Sequence, residues 1–172
     1  MKLDVLPWYS QGLTFTCSQC GNCCTGPVGY VYASPEEIRR LAEHLRLSPQ
    51  EVIEKYCRKV GGKISFKEKR GPGGWDCIFL EEVTATRRPA GADRDITYTK
   101  RVCTIYPVRP LQCRTWPFWD GNLASRANWD AAAQRCPGMN HGPRRFTPAQ
   151  IEALRDAQDW PANPPSSTQS KA

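Results

Sequence analysis

The run Cys17-Ser18-Gln19-Cys20-Gly21-Asn22-Cys23-Cys24 constrains this chain more than any other feature, because it places four thiols within eight residues. Two residues between cysteines let a tight turn aim both sulfurs at one centre, and Gly21 permits the backbone conformation such a turn needs. Neighbouring side chains on an extended backbone point to opposite sides. Cys23 and Cys24 therefore do not chelate one ion together unless the backbone turns sharply between them, and two centres, or one bridged pair, follow. Five further cysteines stand at Cys57, Cys77, Cys103, Cys113 and Cys136. Four of them adjoin turn-forming or irregular sequence: Cys77 after Gly71-Pro72-Gly73-Gly74, Cys103 and Cys113 around Pro107 and Pro110, and Cys136 before Pro137-Gly138. Such loops can converge on a metal. Cys57 falls between Tyr56 and Arg58 in a segment that reads as helical, where a single thiol behaves as a small buried apolar residue, and it is left out of the ligand set.

The compartment decides how these thiols are read. The opening Met1-Lys2-Leu3-Asp4-Val5-Leu6-Pro7 is too short and broken for a signal-peptide core, and no apolar run approaches the roughly 18 residues of a membrane span. A cytoplasmic protein without a membrane partner is expected. A reducing cytosol disfavours structural disulfides, and nine thiols cannot all pair with one another. Metal ligation is the leading account, with metal ions as partners and no protein partner indicated. The formal net charge of +7 would suit nucleic acid. However, thiolate ligands would add about eight negative charges, offset only partly by metals. Arg39-Arg40, Arg87-Arg88 and Arg144-Arg145 are scattered pairs rather than one basic run, so nucleic acid is not the expected partner.

At 172 residues with 40% apolar content the chain can build one modest core, but 13 glycines and 15 prolines describe a loop-rich scaffold that needs staples. Three helix starts share a cap, a proline and a third-position acid or amide: Ser34-Pro35-Glu36-Glu37, Ser48-Pro49-Gln50-Glu51 and Thr147-Pro148-Ala149-Gln150. Ile38, Leu41, Ala42 and Leu45 share one face after the first. Val52, Ile53, Tyr56 and Val60 do so after the second, with Gly61-Gly62 ending it, and the two read as a helical hairpin. The third helix carries Ile151, Leu154 and Ala157. Short strands are expected at Val28 to Tyr32, Lys63 to Phe66 and Cys77 to Leu80, and a surface loop or protruding hairpin from Glu81 to Arg101. The expected fold is α+β: a small, loop-rich, metal-stapled single domain over residues 1–160, followed by a disordered tail, 161–172.

Several spaced motifs together resemble a known family. They are Phe15-x-Cys17-x-x-Cys20-Gly21-x-Cys23-Cys24, Cys77-Ile78-Phe79-Leu80, Cys103-x-Ile105-Tyr106-x-x-Arg109-Pro110-x-x-Cys113-Arg114, then Trp116-Pro117 and Cys136-Pro137-Gly138. In this order, from about Phe15 to Gly138, they look like the bacterial cysteine-cluster family with the CxxCxxCC signature, also called YkgJ-like. The helical pair between Ser34 and Tyr56 fits as well. Departures are the extra Cys57 and the long Glu81 to Arg101 segment. The resemblance implies chelation of zinc or iron, sometimes as an iron-sulfur centre, with no settled reaction.

The eight family cysteines, Cys17, Cys20, Cys23, Cys24, Cys77, Cys103, Cys113 and Cys136, divide into two sets of four, the number that tetrahedral zinc and a cubane iron-sulfur cluster both require. Cys17, Cys20 and Cys23 follow the C-x2-C-x2-C run of bacterial ferredoxins, with Cys136-Pro137 resembling the remote partner. Dispersed Cys24, Cys77, Cys103 and Cys113 suit a zinc staple, since soft thiolates accept both metals. A partition pairing Cys17 and Cys20 with two distant thiols stays open. Arg109 and Arg114 flank ligands and can neutralise thiolate charge or clamp an anion. Tyr106, Trp116, Phe118 and Trp119 read as core around a metal. His44 reads as a surface residue and His141 as a spare ligand or proton carrier, and neither supports a catalytic triad. Three functions remain: metal chelation, an iron-sulfur oxidoreductase or electron carrier, and a zinc-stapled interaction module.

Overall fold

The computed structural model describes residues 6–160. The tail expected at 161–172 and the first five residues of the opening segment lie outside the described residues. Ser34, Ser48 and Thr147 each accept a hydrogen bond from the backbone N–H three residues on, while the side chains of Glu37, Glu51 and Gln150 accept from the cap N–H. These capping boxes open α1 (Pro35–Leu45), α2 (Pro49–Tyr56) and α6 (Pro148–Asp156). The first two pack as the expected hairpin, burying Ile38, Leu41, Ala42 and Val52.

The second helix is shorter than its apolar spacing suggests. It stops at Tyr56, and Cys57 opens β3 (Cys57–Val60), which pairs antiparallel with β4 (Lys63–Phe66). Gly61 and Gly62 both have positive φ, 54° and 78°, and form the two-residue turn between Val60 and Lys63. A turn with both central residues left-handed matches the twist of a hairpin, so these glycines fold a ribbon and do not end a helix. Cys57 is thus on a strand and not on a helix, yet it is buried as expected, 5% exposed within the core under α1 and α2.

Two strand expectations are corrected. Residues 28–32 run irregularly apart from one bridge between Tyr32 and Ser65. Side chains take up much of their backbone: Gln112 accepts from Tyr32 N–H at 2.8 Å and donates to Tyr30 C=O at 3.0 Å, Glu68 accepts from Gly29 N–H at 2.9 Å, Arg58 donates to Gly29 C=O at 2.7 Å, and only Val31 C=O pairs with a strand, accepting from Phe66 N–H at 2.9 Å. The run from Cys77 to Leu80 is interrupted, since Cys77 closes β6 (Gly74–Cys77), Ile78 and Phe79 turn, and Leu80 opens β7 (Leu80–Arg87). The turn sends Phe79 into the core against Tyr56 and Phe66, at ring separations of 5.0 and 4.9 Å.

The remaining architecture is α+β with small antiparallel ribbons. β6 lies between β2 (Thr25–Gly26) and β5 (Glu68–Gly71). The 81–101 segment is a protruding hairpin, in which β7 pairs with β8 (Ile96–Cys103) from Leu80 opposite Cys103 to Arg87 opposite Ile96. A two-residue ribbon, β1 (Leu13–Thr14) with β9 (Arg145–Phe146), ties the two ends of the described chain together. Short helices α3 (Leu111–Thr115), α4 (Asp120–Leu123) and α5 (Arg126–Ala133) follow Pro110. α3 and α4 lack a side-chain cap and are too short for a periodic apolar face, while α5, capped by Ser125, buries one residue, Trp129, and so shows no apolar period either.

Two buried clusters result. One gathers Leu13, Phe15, Phe118, Trp129, Met139, Phe146 and Ile151, with Cys136 inside it and Cys17 against it. The other gathers Ile38, Leu41, Val52, Cys57, Phe66, Phe79 and Ile105, with Cys77 and Cys103 at its edge. Glu37 links α1 to α3. This carboxylate is 7% exposed and accepts from Ser34 N–H at 2.9 Å and Leu111 N–H at 2.5 Å, with Arg114 and Arg40 at 3.8 and 3.9 Å. Glu37→Ala leaves two backbone donors without their acceptor beside uncompensated cations, and should cost about 3 kcal/mol in chemical denaturation. A loss below about 1 kcal/mol, the size of an ordinary surface change, would show that α3 is held by other contacts.

Candidate metal centre

The cysteine-rich run folds back twice. Gln19 and Gly21 have left-handed φ values of 55° and 75°, and a 3-10 turn at Asn22–Cys24 follows directly. A side chain at Gly21 is strained by its left-handed φ and would press on Leu80 Cδ1 at 2.9 Å and Arg101 Cβ at 3.1 Å. The backbone therefore turns sharply at Cys23 and Cys24, the condition under which two adjacent thiols can face one centre, and their sulfurs stand 3.7 Å apart.

Backbone pairing brings Cys136 alongside Cys17. Thr16 N–H donates to Gly138 C=O at 3.0 Å, Phe15 N–H to Arg144 C=O at 3.0 Å, and Asn140 N–H to Thr14 C=O at 2.9 Å. A Cβ on Gly138 would lie 2.2 Å from Thr16 O, so the approach of these segments needs a glycine after Cys136-Pro137. Cys77 arrives at the end of β6 and Cys103 at the end of β8, joined where Thr104 N–H donates to Phe79 C=O at 3.0 Å. Cys113 sits on α3, whose start Glu37 anchors.

All eight cysteines singled out in the sequence line one cavity, together with Phe15, Val31, Ile105, Tyr106, Arg109 and Trp116. The cavity lies where the two cores meet, with Phe15 and Cys136 from one and Ile105 from the other. Cys57 is not on it, nor are the exposed His44 and His141. All nine thiols are free, and Cys23 and Cys24 are in contact at 3.7 Å. Among the described residues no three Cys, His, Asp or Glu side chains stand at the spacing of a closed metal shell.

The two flanking arginines differ. Arg109 lines the cavity, its guanidinium 3.6 Å from the Tyr106 ring centroid and its Nε donating to Tyr106 C=O at 3.0 Å. Arg114 is off the cavity and braces the loop instead, donating to Arg109 C=O at 3.1 Å. Arg101 was missed. It donates to the Asn22 side chain, and its charge reaches Cys23. Its position two residues before Cys103 on one strand face was the available signal, hidden because the expected hairpin strand stopped at Ile96-Thr97-Tyr98, short of Arg101.

The electrostatics separate the thiols. Cys23 and Cys24 share a hydrogen bond, and this contact holds the Cys23 sulfur down at about 7 against its desolvation, helped by a backbone hydrogen bond and the charges of Arg109 and Arg101. The same bond pushes Cys24 up, reinforced by burial and by the charges of Cys23, Cys113 and Cys77. Burial raises Cys77 to about 11 and raises Cys103 and Cys113, with charge on neighbouring thiols adding to each. Tyr106 is raised by burial and then by its hydrogen bond to Cys17.

A family comparison bears on this arrangement. The CxxCxxCC model, described as "Putative zinc- or iron-chelating domain", matches residues 16–137. The chain belongs to the CxxCxxCC family. The matched span starts one residue before Cys17 and ends one after Cys136, so it takes in every thiol of the cavity. An uncharacterized protein of Methanocaldococcus jannaschii is 31% identical over 118 residues, 69% of this chain and 50% of that protein. The chain thus spans about half the length of this curated relative. No solved structure matches. Among the described residues no helix is long and apolar enough to cross a membrane.

The thiol pattern predicts selective alkylation of metal-free protein. The Cys23 thiol lies below its ordinary value, so its thiolate forms as pH rises through about 7, while Cys57, raised by burial to about 11, stays neutral there. Iodoacetamide should label Cys23 first, with a midpoint near pH 7, and leave Cys57 unlabelled until the protein unfolds. Peptide mass spectrometry reads both, and equal labelling rates would contradict this picture.

Proposed function

We propose that the cavity is a cysteine-ligated metal centre holding zinc or iron, with Cys17, Cys20, Cys23, Cys24, Cys77, Cys103, Cys113 and Cys136 as ligands, in a cytoplasmic protein. One observation carries this: eight thiols from segments spread over 120 positions line a single cavity, and the ninth is packed elsewhere among apolar side chains. An apolar core gains nothing from assembling so many thiols, whereas a soft cation does. Ligation needs each thiol to lose its proton and turn about χ1 toward a shared centre, with Arg101 and Arg109 offsetting the charge that builds up. Family membership supports the same general chemistry.

The backbone ladder between the Thr14–Thr16 and Gly138–Arg144 segments supports placing Cys17 and Cys136 in one set. The charges of Cys23, Cys77, Cys103 and Cys113 act across the whole cavity, Cys23 on Cys24, Cys77, Cys103 and Cys113 alike, so the partition of the eight thiols into two sets of four rests on their spacing in the sequence. If the first set holds an iron-sulfur cluster, the protein is an electron carrier or oxidoreductase, since the cluster supplies one-electron redox chemistry. The position between two cores favours the zinc-stapled module as second reading, because a closed four-thiolate zinc site ties loops together and has no redox chemistry.

Metal and acid-labile sulfide analysis of anaerobically purified protein separates these readings. Brown protein that contains iron and sulfide and bleaches on reduction supports the carrier. Colourless protein with zinc supports the staple, and protein without either metal overturns chelation. Structural zinc contributes roughly 10 kcal/mol or more of apparent folding free energy, so Cys20→Ser should lose metal and melt lower. Cys57→Ala should keep its full metal content, and a drop there would place the ninth thiol in the centre.

A further inference from the structure

The β7–β8 hairpin stands alone. Among the described residues no third strand joins it, and its two strands pair only with each other, from Leu80 opposite Cys103 to Arg87 opposite Ile96. A two-stranded ribbon by itself is at best marginally stable in water. This one nevertheless exposes apolar side chains: Ile96 and Tyr98 are each 40% exposed, and Val83, Ala85 and Val102 share their face. The same face carries Glu81 at the base and Arg87 near the tip. Both are exposed, and among the described residues neither forms an ion pair; Arg87 has the Tyr98 ring, 5.6 Å away. Neighbouring charges are committed, Arg88 to Asp95 at 2.7 Å and Arg101 to Asn22.

The ladder fixes which backbone groups of β7 are unused. Thr104 N–H donates to Phe79 C=O at 3.0 Å, so that opposite pair is hydrogen-bonded. Hydrogen-bonded and open pairs alternate along an antiparallel ladder. Glu81, Val83, Ala85 and Arg87 therefore bond inward to β8, and the N–H and C=O groups of Glu82, Thr84 and Thr86 point outward along the free edge. That edge carries no proline, lysine or bulge between Leu80 and Arg87, whereas the edge of β8 carries Lys100 and Arg101. Proline, lysine and bulges are the devices that blunt an edge, so β7 is the edge left open to pairing.

We infer that the free edge of β7 pairs antiparallel with the β7 edge of a second copy of this chain, joining two hairpins into one four-stranded sheet with Thr84 on the two-fold axis. Outward groups can meet only outward groups, so Glu82, Thr84 and Thr86 of one copy must stand opposite members of the same set in the other. Centring on Thr84 meets this condition. Glu82 then faces Thr86 of the second copy, Thr84 faces its own counterpart, and about six backbone hydrogen bonds form. The open pairs between them, where side chains approach most closely, set Val83 opposite Ala85 and Glu81 opposite Arg87, each twice over. Sliding one strand by two residues loses both matches, because Glu81 then faces Ala85 or Pro89. The strand is thus complementary to itself in charge and in apolar surface at one register. Pairing β8 with β8 would bring Lys100 and Arg101 of both copies together with no acid between them, and pairing β7 with β8 would leave an open edge on each copy and would not close. The inference draws on the hairpin alone and needs no metal.

Sedimentation equilibrium of the full-length protein tests this, with melting temperature and metal content measured in parallel. A monomer–dimer equilibrium is expected. Glu81→Arg or Arg87→Glu sets like charges opposite each other at both ends of the joint and should weaken the dimer about tenfold or more. Mixing the two single variants sets arginines opposite glutamates again and should give a heterodimer. Thr84→Pro removes an N–H that the hairpin's own ladder does not use, so it should abolish the dimer without lowering metal content. A protein that stays monomeric at its highest soluble concentration overturns the inference. So does a dimer that both single reversals leave unchanged, which places the interface elsewhere, and so does a mixture of the two variants that stays monomeric, which shows that Glu81 and Arg87 do not face each other. Oligomers that keep growing with concentration overturn it in favour of open-ended pairing of β7 with β8.

Discussion

Thiols resist being gathered. Each one that ionises in a low-dielectric space raises the cost of ionising the next, and water is too scarce there to screen the charge. In this cavity the conflict is visible thiol by thiol: Cys23 is held near 7 by its hydrogen bond with Cys24 and by two arginines, while Cys24, Cys77, Cys103 and Cys113 are pushed up by burial and by one another. One negative charge is accommodated easily and further ones progressively less so. A cation inside the cavity reverses the sign of that interaction for all of them at once.

The scaffold around the cavity is organised to hold the thiols despite that repulsion. None of them depends on a long regular element. Gly21 takes a left-handed turn against the Leu80 and Arg101 side chains, Gly138 lets its backbone approach Thr16 where a Cβ would collide, the β6 and β8 ends deliver Cys77 and Cys103, and buried Glu37 pins the start of the helix that carries Cys113. The two apolar clusters sit on opposite sides of the cavity, so each set of loops is braced from behind by its own core. Cys57 shows the contrast: the same side chain, set among Val52, Phe66 and Phe79, behaves as a small apolar residue raised by burial alone, apart from a weak opposing effect of Lys67.

Local chemistry decided which parts were legible beforehand. Capping boxes at Ser34, Ser48 and Thr147 are self-contained within four residues, and all three helices begin where they should. The eight cavity cysteines were also readable, because spacing and turn residues mark them without reference to the rest of the fold. Elements that depend on distant partners were not. Val60 continues an apolar helical spacing, but pairing with Lys63 across two left-handed glycines wins. Residues 28–32 have strand composition, yet the side chains of Gln112, Glu68 and Arg58, from 29 to 82 positions away, take most of their backbone hydrogen bonds. Arg101 became part of the site only once β8 fixed its face.

Cys23 occupies a position that none of the other thiols has. It is exposed, and it borders the thiol cavity, a groove beside Tyr30, Tyr32 and Trp75, and a third groove beside Trp116, Trp119 and Arg135. Cys113, by contrast, lines the thiol cavity and neither of the other two. The centre is therefore closed on one side and approachable on the other. The approachable side coincides with the thiol that most readily carries negative charge, so the hydrogen bond with its neighbour Cys24, with smaller help from Arg109 and Arg101, favours a charge at the point where solvent and the cysteine cluster meet.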